Sequence, residues 1–155
     1  MSKTSSLNGL ILAVVICLGV GFLSGQFRPG EWYQSLAKPA LTPPGWIFLI
    51  VWTFLYIIMG ISAWLVWRQN GFKAALWPLS IFILQLLFYG FWTVFFFGLK
   101  MPGLAFVDII LLWGTILYTI ILFWSKVPLA GVLLLPYLLW VTFASFLNYA
   151  IWRLN

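Results

Sequence analysis

Long apolar runs alternate with short polar or proline-bearing breaks along the whole chain. A helix that crosses a bilayer needs about 20 consecutive, mostly apolar residues. Five stretches meet that length, at about 7–27, 46–67, 77–98, 103–124 and 128–152. The breaks are Arg28 to Gly45, Arg68 to Lys73, Lys100 to Gly103 and Ser125 to Pro128. Pro43, Pro78, Pro102 and Pro128 fall near predicted helix starts, where a missing N–H costs little. Thr42 reads as an N-cap for the second helix. Pro136, inside the fifth, is expected to kink it. The pattern predicts an all-α integral membrane protein: a five-transmembrane-helix bundle in one domain over residues 1–155, with a structured loop between helices 1 and 2.

Composition strengthens the membrane assignment. The chain is 65% hydrophobic and 6% charged over 155 residues, whereas a soluble domain carries about a quarter charged residues. The ten charged side chains are scattered: Lys3, Arg28, Glu31, Lys38, Arg68, Lys73, Lys100, Asp108, Lys126 and Arg153. A net charge of +6 without a basic cluster gives nucleic acid nothing to bind. There is no histidine and a single cysteine, Cys17. The commonest general base and metal ligand is therefore missing, and no disulfide can form within the chain. The apolar run from Leu7 to Leu23 outlasts the core of about 7–15 residues typical of a signal peptide and lacks a small-residue cleavage site, so it is expected to stay as a helix.

Five crossings put the termini on opposite sides of the membrane. Lys3, Arg68, Lys73 and Lys126 then share one side, and Arg28, Lys38, Lys100 and Arg153 the other. An equal split leaves the orientation open, and the short loops suit a bacterial envelope or an organelle membrane equally.

The connection from Arg28 to Trp46 is chemically unusual. It holds Trp32, Tyr33, Trp46, four prolines and Glu31, one of only two acids in the chain. A long, proline-stiffened aromatic loop over an apolar bundle resembles a lid on a binding site. Its side of the membrane also receives the end of helix 3, the start of helix 4 and the end of helix 5.

Three stripes at helical spacing rise toward that side: Phe48-Trp52-Tyr56, Gln85-Tyr89-Trp92-Phe96 and Tyr137-Trp140-Ala144-Asn148. At about 1.5 Å per residue, Trp52 and Trp92 each lie roughly 9 Å below the loop. Buried amides such as Gln85 and Asn148 prefer a bundle interior to lipid. The three faces are therefore expected to meet beneath the loop, although aromatic stripes also serve plain packing. Trp64, Trp67, Trp77, Trp124 and Trp152 read as interfacial anchors.

Other chemistry is sparse. Asp108, in helix 4, reads either as a pocket carboxylate or as an acid paired with Lys100 or hydrogen-bonded between helices. No carboxylate pair, nucleophile–base pair or metal cluster can be assembled, which argues against conventional hydrolysis. Ala13, Cys17, Gly21 and Gly25 repeat at steps of four on helix 1, a small-residue stripe suited to close packing within the protomer or across a dimer. Leu147-Asn-Tyr149-Ala-Ile-Trp-Arg153 fits a loose sterol-contact pattern.

These residues resemble the TspO/MBR family of tryptophan-rich sensory and translocator proteins. The resemblance is carried by Trp32-Tyr33, Leu36, Lys38-Pro39, Pro43-Pro44-Gly45-Trp46, Trp52, Leu55-Tyr56 and Met59-Gly60. It continues through Gln85-Leu86, Trp92, Phe96-Phe97, Ala105, Asp108, Pro136-Tyr137, Trp140, Ala144, Leu147-Asn148 and Arg153-Leu-Asn155. It implies a five-helix bundle, commonly dimeric, whose pocket under the first loop binds porphyrins, cholesterol or benzodiazepine-type ligands. By correspondence the ligand-binding set is Tyr33, Pro43, Trp52, Tyr56, Trp92, Trp140, Ala144 and Leu147. Tyr89 joins it where relatives often carry Asn, and Leu41 stands where they often carry Trp. The sterol-contact segment corresponds to Leu147, Tyr149 and Arg153.

The expected function is binding of planar hydrophobic molecules, porphyrins or other tetrapyrroles foremost and sterols second, by a receptor, transporter or sensor. The carboxylates of such a ligand would meet Arg28 or Lys38 at the mouth. One alternative is light-dependent porphyrin degradation, with Trp52 and Trp140 as redox partners. Another is an assembly partner without a small-molecule site. No cofactor and no metal are expected; the partners are the ligand, the lipid bilayer and a second copy in a homodimer.

Overall fold

The computed structural model describes residues 3–27 and 29–155, and Thr4 only by its backbone. Arg28 lies outside the described residues. The elements in chain order are α1 (Lys3–Ser24), α2 (Glu31–Ser35), α3 (Gly45–Thr93) with a π-helical continuation (Val94–Gly98), α4 (Pro102–Lys126), α5 (Pro128–Leu133) and α6 (Leu135–Leu154). No strand occurs among the described residues. Four helical segments are long and apolar enough to cross a membrane: Ser5–Ser24, Gly45–Gly98, Pro102–Lys126 and Pro128–Leu154, with mean hydropathy between 1.9 and 2.3.

The second segment has 54 residues. As one straight rod it would run for about 80 Å, far beyond a hydrocarbon core of about 30 Å. It is not straight. Gly71 takes φ 75° and ψ 171°, a backbone geometry that side chains with a Cβ avoid, and it divides α3 into two limbs, 45–70 and 72–93. The limbs fold back on each other, because the Trp52 and Tyr89 rings lie 4.7 Å apart although 37 residues separate them in sequence. The reversal falls in the polar break predicted between Arg68 and Lys73.

Helix α1 lies antiparallel along the first limb, and glycines set the closeness. A Cβ on Gly9 would stand 2.1 Å from the Trp67 ring, one on Gly60 2.6 Å from Val14 Cα, and one on Gly21 2.2 Å from Tyr56 Cε2. Trp64 Nε1 adds a hydrogen bond to the Ser6 carbonyl at 2.8 Å. Cys17 is buried in the same seam. Among the small residues of the helix 1 stripe, Cys17 and Gly21 thus pack inside the protomer. The second limb meets α4 through stacked Phe82 and Phe123 rings at 5.7 Å. Ser62 donates to the Ala130 carbonyl at 2.7 Å, joining the first limb to α5.

Three local expectations need correction. Thr42 does not cap α3: its hydroxyl donates to the Pro39 carbonyl at 2.8 Å, and Pro44 occupies the cap position. Pro78 stands inside the second limb, not at its start, because that limb begins directly after Gly71. The fifth apolar stretch is broken at Leu134, between α5 and α6, so that Pro136 falls in the first turn of α6, where its missing N–H is harmless.

Candidate functional site

The loop-side half of the bundle holds a half-open cavity of about 590 Å³. Its walls come from the end of α1, the 29–44 segment, both limbs of α3, the π-helical turn and α6. Tyr33, Pro43, Trp52, Tyr56, Tyr89, Trp92, Trp140, Ala144 and Leu147 all line it. The structure brings together every residue of the expected ligand-binding set.

Helical periodicity put each stripe on one face, and the bundle turns those faces inward. Trp52 is the hub. Its ring stacks on Tyr56 at 5.7 Å, leans on Tyr89 at 4.7 Å and stands edge-on to Trp140 at 6.5 Å. Phe48 meets Trp140 at 5.5 Å. Below the hub, the Tyr56 and Tyr89 hydroxyls are hydrogen-bonded to each other and form the floor. One layer deeper, the Tyr137 hydroxyl donates to Gln85 Oε1 at 2.6 Å. The two stripe amides therefore act as braces. Asn148 accepts from Trp92 Nε1 at 2.8 Å and donates to the Pro102 carbonyl at 2.8 Å, linking the second limb, α6 and the start of α4.

The loop forms the roof. Tyr33 packs edge-on against Phe96 and Phe97 at 6.2 and 5.6 Å, and Trp32 against Phe96 at 5.8 Å. Burial there pushes the Tyr33 phenol above its ordinary pKa. Lys38 is the one charged side chain among the described lining residues. Its ammonium lies 4.6 Å from the Tyr33 ring centre and donates to the Gln34 and Leu36 carbonyls at 3.4 and 3.3 Å. A cation at the mouth of an apolar cavity suits an anionic group on an otherwise apolar guest.

One donor in the wall lacks a partner. The Trp140 indole N–H is buried and makes no hydrogen bond; Gln85 Nε2 and Asp108 Oδ2 are likewise unpartnered. Asp108 is neither a pocket carboxylate nor a partner of Lys100. It does not line the cavity, it forms no ion pair with Lys100, and it is 5% exposed in the side of α4. Tyr149 and Arg153 also lie away from the cavity. Tyr149 packs on Phe106 and Trp152, and Arg153 is exposed, whereas Leu147 faces inward. Two residues along a helix are about 200° apart, so Leu147 and Tyr149 cannot share a face.

The sequence pattern did not place the end of α1 (Gly21, Ser24, Gly25 and Phe27) or the threonines Thr53 and Thr93 in the cavity wall. The small-residue stripe was the available signal for the glycines. Nothing in the pattern marked Phe27, which stands beyond the last turn of α1. Among the described residues, no group of three or more metal-ligating side chains occurs.

The model of the TspO/MBR family matches residues 13–153. The chain is 38% identical over 154 residues to Protein CrtK of Rhodobacter capsulatus, covering 97% of this chain and 94% of that one. It is 40% identical over 153 residues to the Tryptophan-rich protein TspO of Chlorobaculum tepidum, covering 94% and 95% respectively. The Translocator protein of Ovis aries is 41% identical over 140 residues, covering 87% of this chain and 83% of that protein.

Proposed function

The chain belongs to the TspO/MBR family, and from that membership we propose a membrane receptor or sensor that binds planar hydrophobic molecules, porphyrins and related tetrapyrroles first and sterols second. The observation that carries this is the cavity itself: about 590 Å³, walled by Trp52, Tyr56, Tyr89, Trp92 and Trp140, with Lys38 at its mouth. Flat macrocycles stack on such rings. A peripheral carboxylate has Lys38 to meet. The 28–45 loop acts as the lid, and the two limbs of α3 count as separate crossings, making five. A homodimer is the proposed assembly, through faces other than the small-residue seam that α1 uses internally.

The test is a titration of protoporphyrin IX into the purified protein, followed by tryptophan fluorescence in the dark. Saturable quenching that weakens in Trp140→Phe supports the reading; linear, non-saturating quenching unaffected by the substitution sinks it.

A second reading has its own observation. Trp52 and Trp140 stand edge-on at 6.5 Å, so a radical left on one ring by electron transfer to a photoexcited porphyrin can be shared with the other, while dissolved dioxygen serves as the oxidant that the breakdown consumes. This favours light-dependent porphyrin breakdown as an added activity. Illuminated porphyrin bound to the protein should then bleach faster than porphyrin bound to a double Trp52→Phe/Trp140→Phe variant, and equal rates rule it out.

A further inference from the structure

The cavity has a neighbour on its lipid side. An apolar groove of about 370 Å³ runs between α1 and the second limb of α3. Ile16, Val20 and Leu23 form one wall, and Ile83, Leu87 and Phe91 the other. Most of these side chains are open to the bilayer, for example Leu23 at 66% and Leu87 at 50% exposure.

The groove and the cavity share two residues, Ser24 and Phe27. These two side chains stand between the lipid-facing groove and the cavity. Ser24 is the last residue of α1, and Phe27 sits in the turn beyond it, its N–H donating to the Ser24 carbonyl at 3.2 Å. The Phe27 ring leans on Gly98, where a Cβ would stand 3.0 Å from ring carbon Cδ1. A phenyl ring held only by apolar contact changes rotamer within nanoseconds when its neighbours allow it.

We propose that this groove is a vestibule in which flat apolar ligands dissolved in the bilayer bind first, and that they pass sideways into the cavity by displacing Phe27. The proposal rests on the reading of the cavity as a ligand site. Three observations favour it. The groove abuts the cavity, with only Ser24 and Phe27 lining both. It is smaller than the cavity, so it holds part of a ligand that the cavity holds whole. Ser24 is its one polar lining residue, so a lipid-dissolved molecule strips few hydrogen bonds on the way. The other approach, from water, is roofed by a loop whose Ala37 backbone is tied to Asn155. Molecules of this class partition into lipid before they meet a protein, so the side route draws on the larger pool.

Gly90 makes the proposal testable. It lines the groove but not the cavity, and a Cβ there meets nothing within 4 Å. Gly90→Leu should therefore fill the groove while the bundle folds as before. The protein would be reconstituted in phosphatidylcholine vesicles and mixed with vesicles preloaded with protoporphyrin IX, and tryptophan quenching followed in time. Loading and release should both slow by about tenfold in Gly90→Leu, with the equilibrium affinity unchanged, because a narrowed passage alters both rates alike. Phe27→Ala should speed both. Wild-type rates in Gly90→Leu overturn the side route. Slower loading with unchanged release, and hence weaker affinity, also overturns it, since the substitution would then have acted on the cavity. A shift in oligomeric state on size-exclusion light scattering, with kinetics unchanged, assigns the groove to a second copy instead. Absence of saturable quenching in the wild type removes the ligand-site reading itself, and the side route with it, a result distinct from a rate that ignores Gly90.

Discussion

The side chain of Asn155 and the backbone of Ala37 form a reciprocal pair across 118 residues of sequence: Asn155 Oδ1 accepts from the Ala37 N–H at 3.1 Å, and Asn155 Nδ2 donates to the Ala37 carbonyl at 3.0 Å. The amide satisfies the loop backbone much as a β-strand neighbour would, and it fastens the roof to the end of α6. Asn155→Ala removes both bonds. Two exposed hydrogen bonds contribute on the order of 1 kcal/mol together, so amide hydrogen exchange in the 36–42 segment should rise about fivefold. Unchanged exchange would show that the loop is held by Tyr33 and Trp32 alone.

The floor of the cavity depends on a glycine in another helix. Tyr56 reaches Tyr89 only because Gly21 leaves room, a Cβ there falling 2.2 Å from the Tyr56 ring. Gly21→Ala should push that ring aside and break its bond to Tyr89, with an overpacking cost of about 1–3 kcal/mol. Thermal unfolding in detergent is expected to shift downward, and protoporphyrin IX titration to weaken. Tyr89→Phe, which removes the hydroxyl without moving the backbone, should lower affinity less than Gly21→Ala does.

Asn148 carries the joint between three elements. Asn148→Leu leaves the half-buried Trp92 N–H without its acceptor, at about 1–3 kcal/mol, while the Pro102 carbonyl keeps its helical bond within α4 and loses only the tie to α6. Measured losses in membrane bundles run lower, nearer about 1 kcal/mol, so the smaller end is expected. Denaturation in mixed micelles measures it. Trp92 emission should shift as its hydrogen bond disappears, and an unchanged spectrum would count against the assignment.

Gly71 is required for its backbone. At φ 75° and ψ 171° a β-carbon is strained, so Gly71→Ala should destabilise the reversal by about 1–2 kcal/mol. Open space surrounds the missing Cβ, which isolates the backbone effect from any clash. A substitution without effect on unfolding would mean that the reversal relaxes into another turn.

Much of the fold was legible because lipid imposes a crude rule: a span needs length and apolarity, and both can be counted along the chain. The break at Arg68–Lys73 followed from polar positions, whereas Pro136, expected to kink one helix, instead stands in the first turn of a new one that starts after Leu134. Thr42 and Pro78 were misread because boundaries depend on which local hydrogen bond wins, and the Pro39 carbonyl outcompeted the helix end for the Thr42 hydroxyl. Asp108 was misread for another reason. Its position on α4 was known, but the rotation of α4 about its axis was not.

The sequence by itself determined the membrane class, the aromatic stripes and the side of the bilayer each stripe approaches, because helical period and membrane thickness act along one element at a time. Only the tertiary structure decided that Tyr56 meets Tyr89, that Asn148 braces Trp92 and Pro102, that Lys38 folds over Tyr33, and that Ser24 and Phe27 stand between the cavity and the groove beside α1. In a bilayer the hydrophobic effect does not tell one apolar face from another. Rotation and register between helices are set by glycine-sized clearances and single hydrogen bonds, and these exist only once the helices are packed.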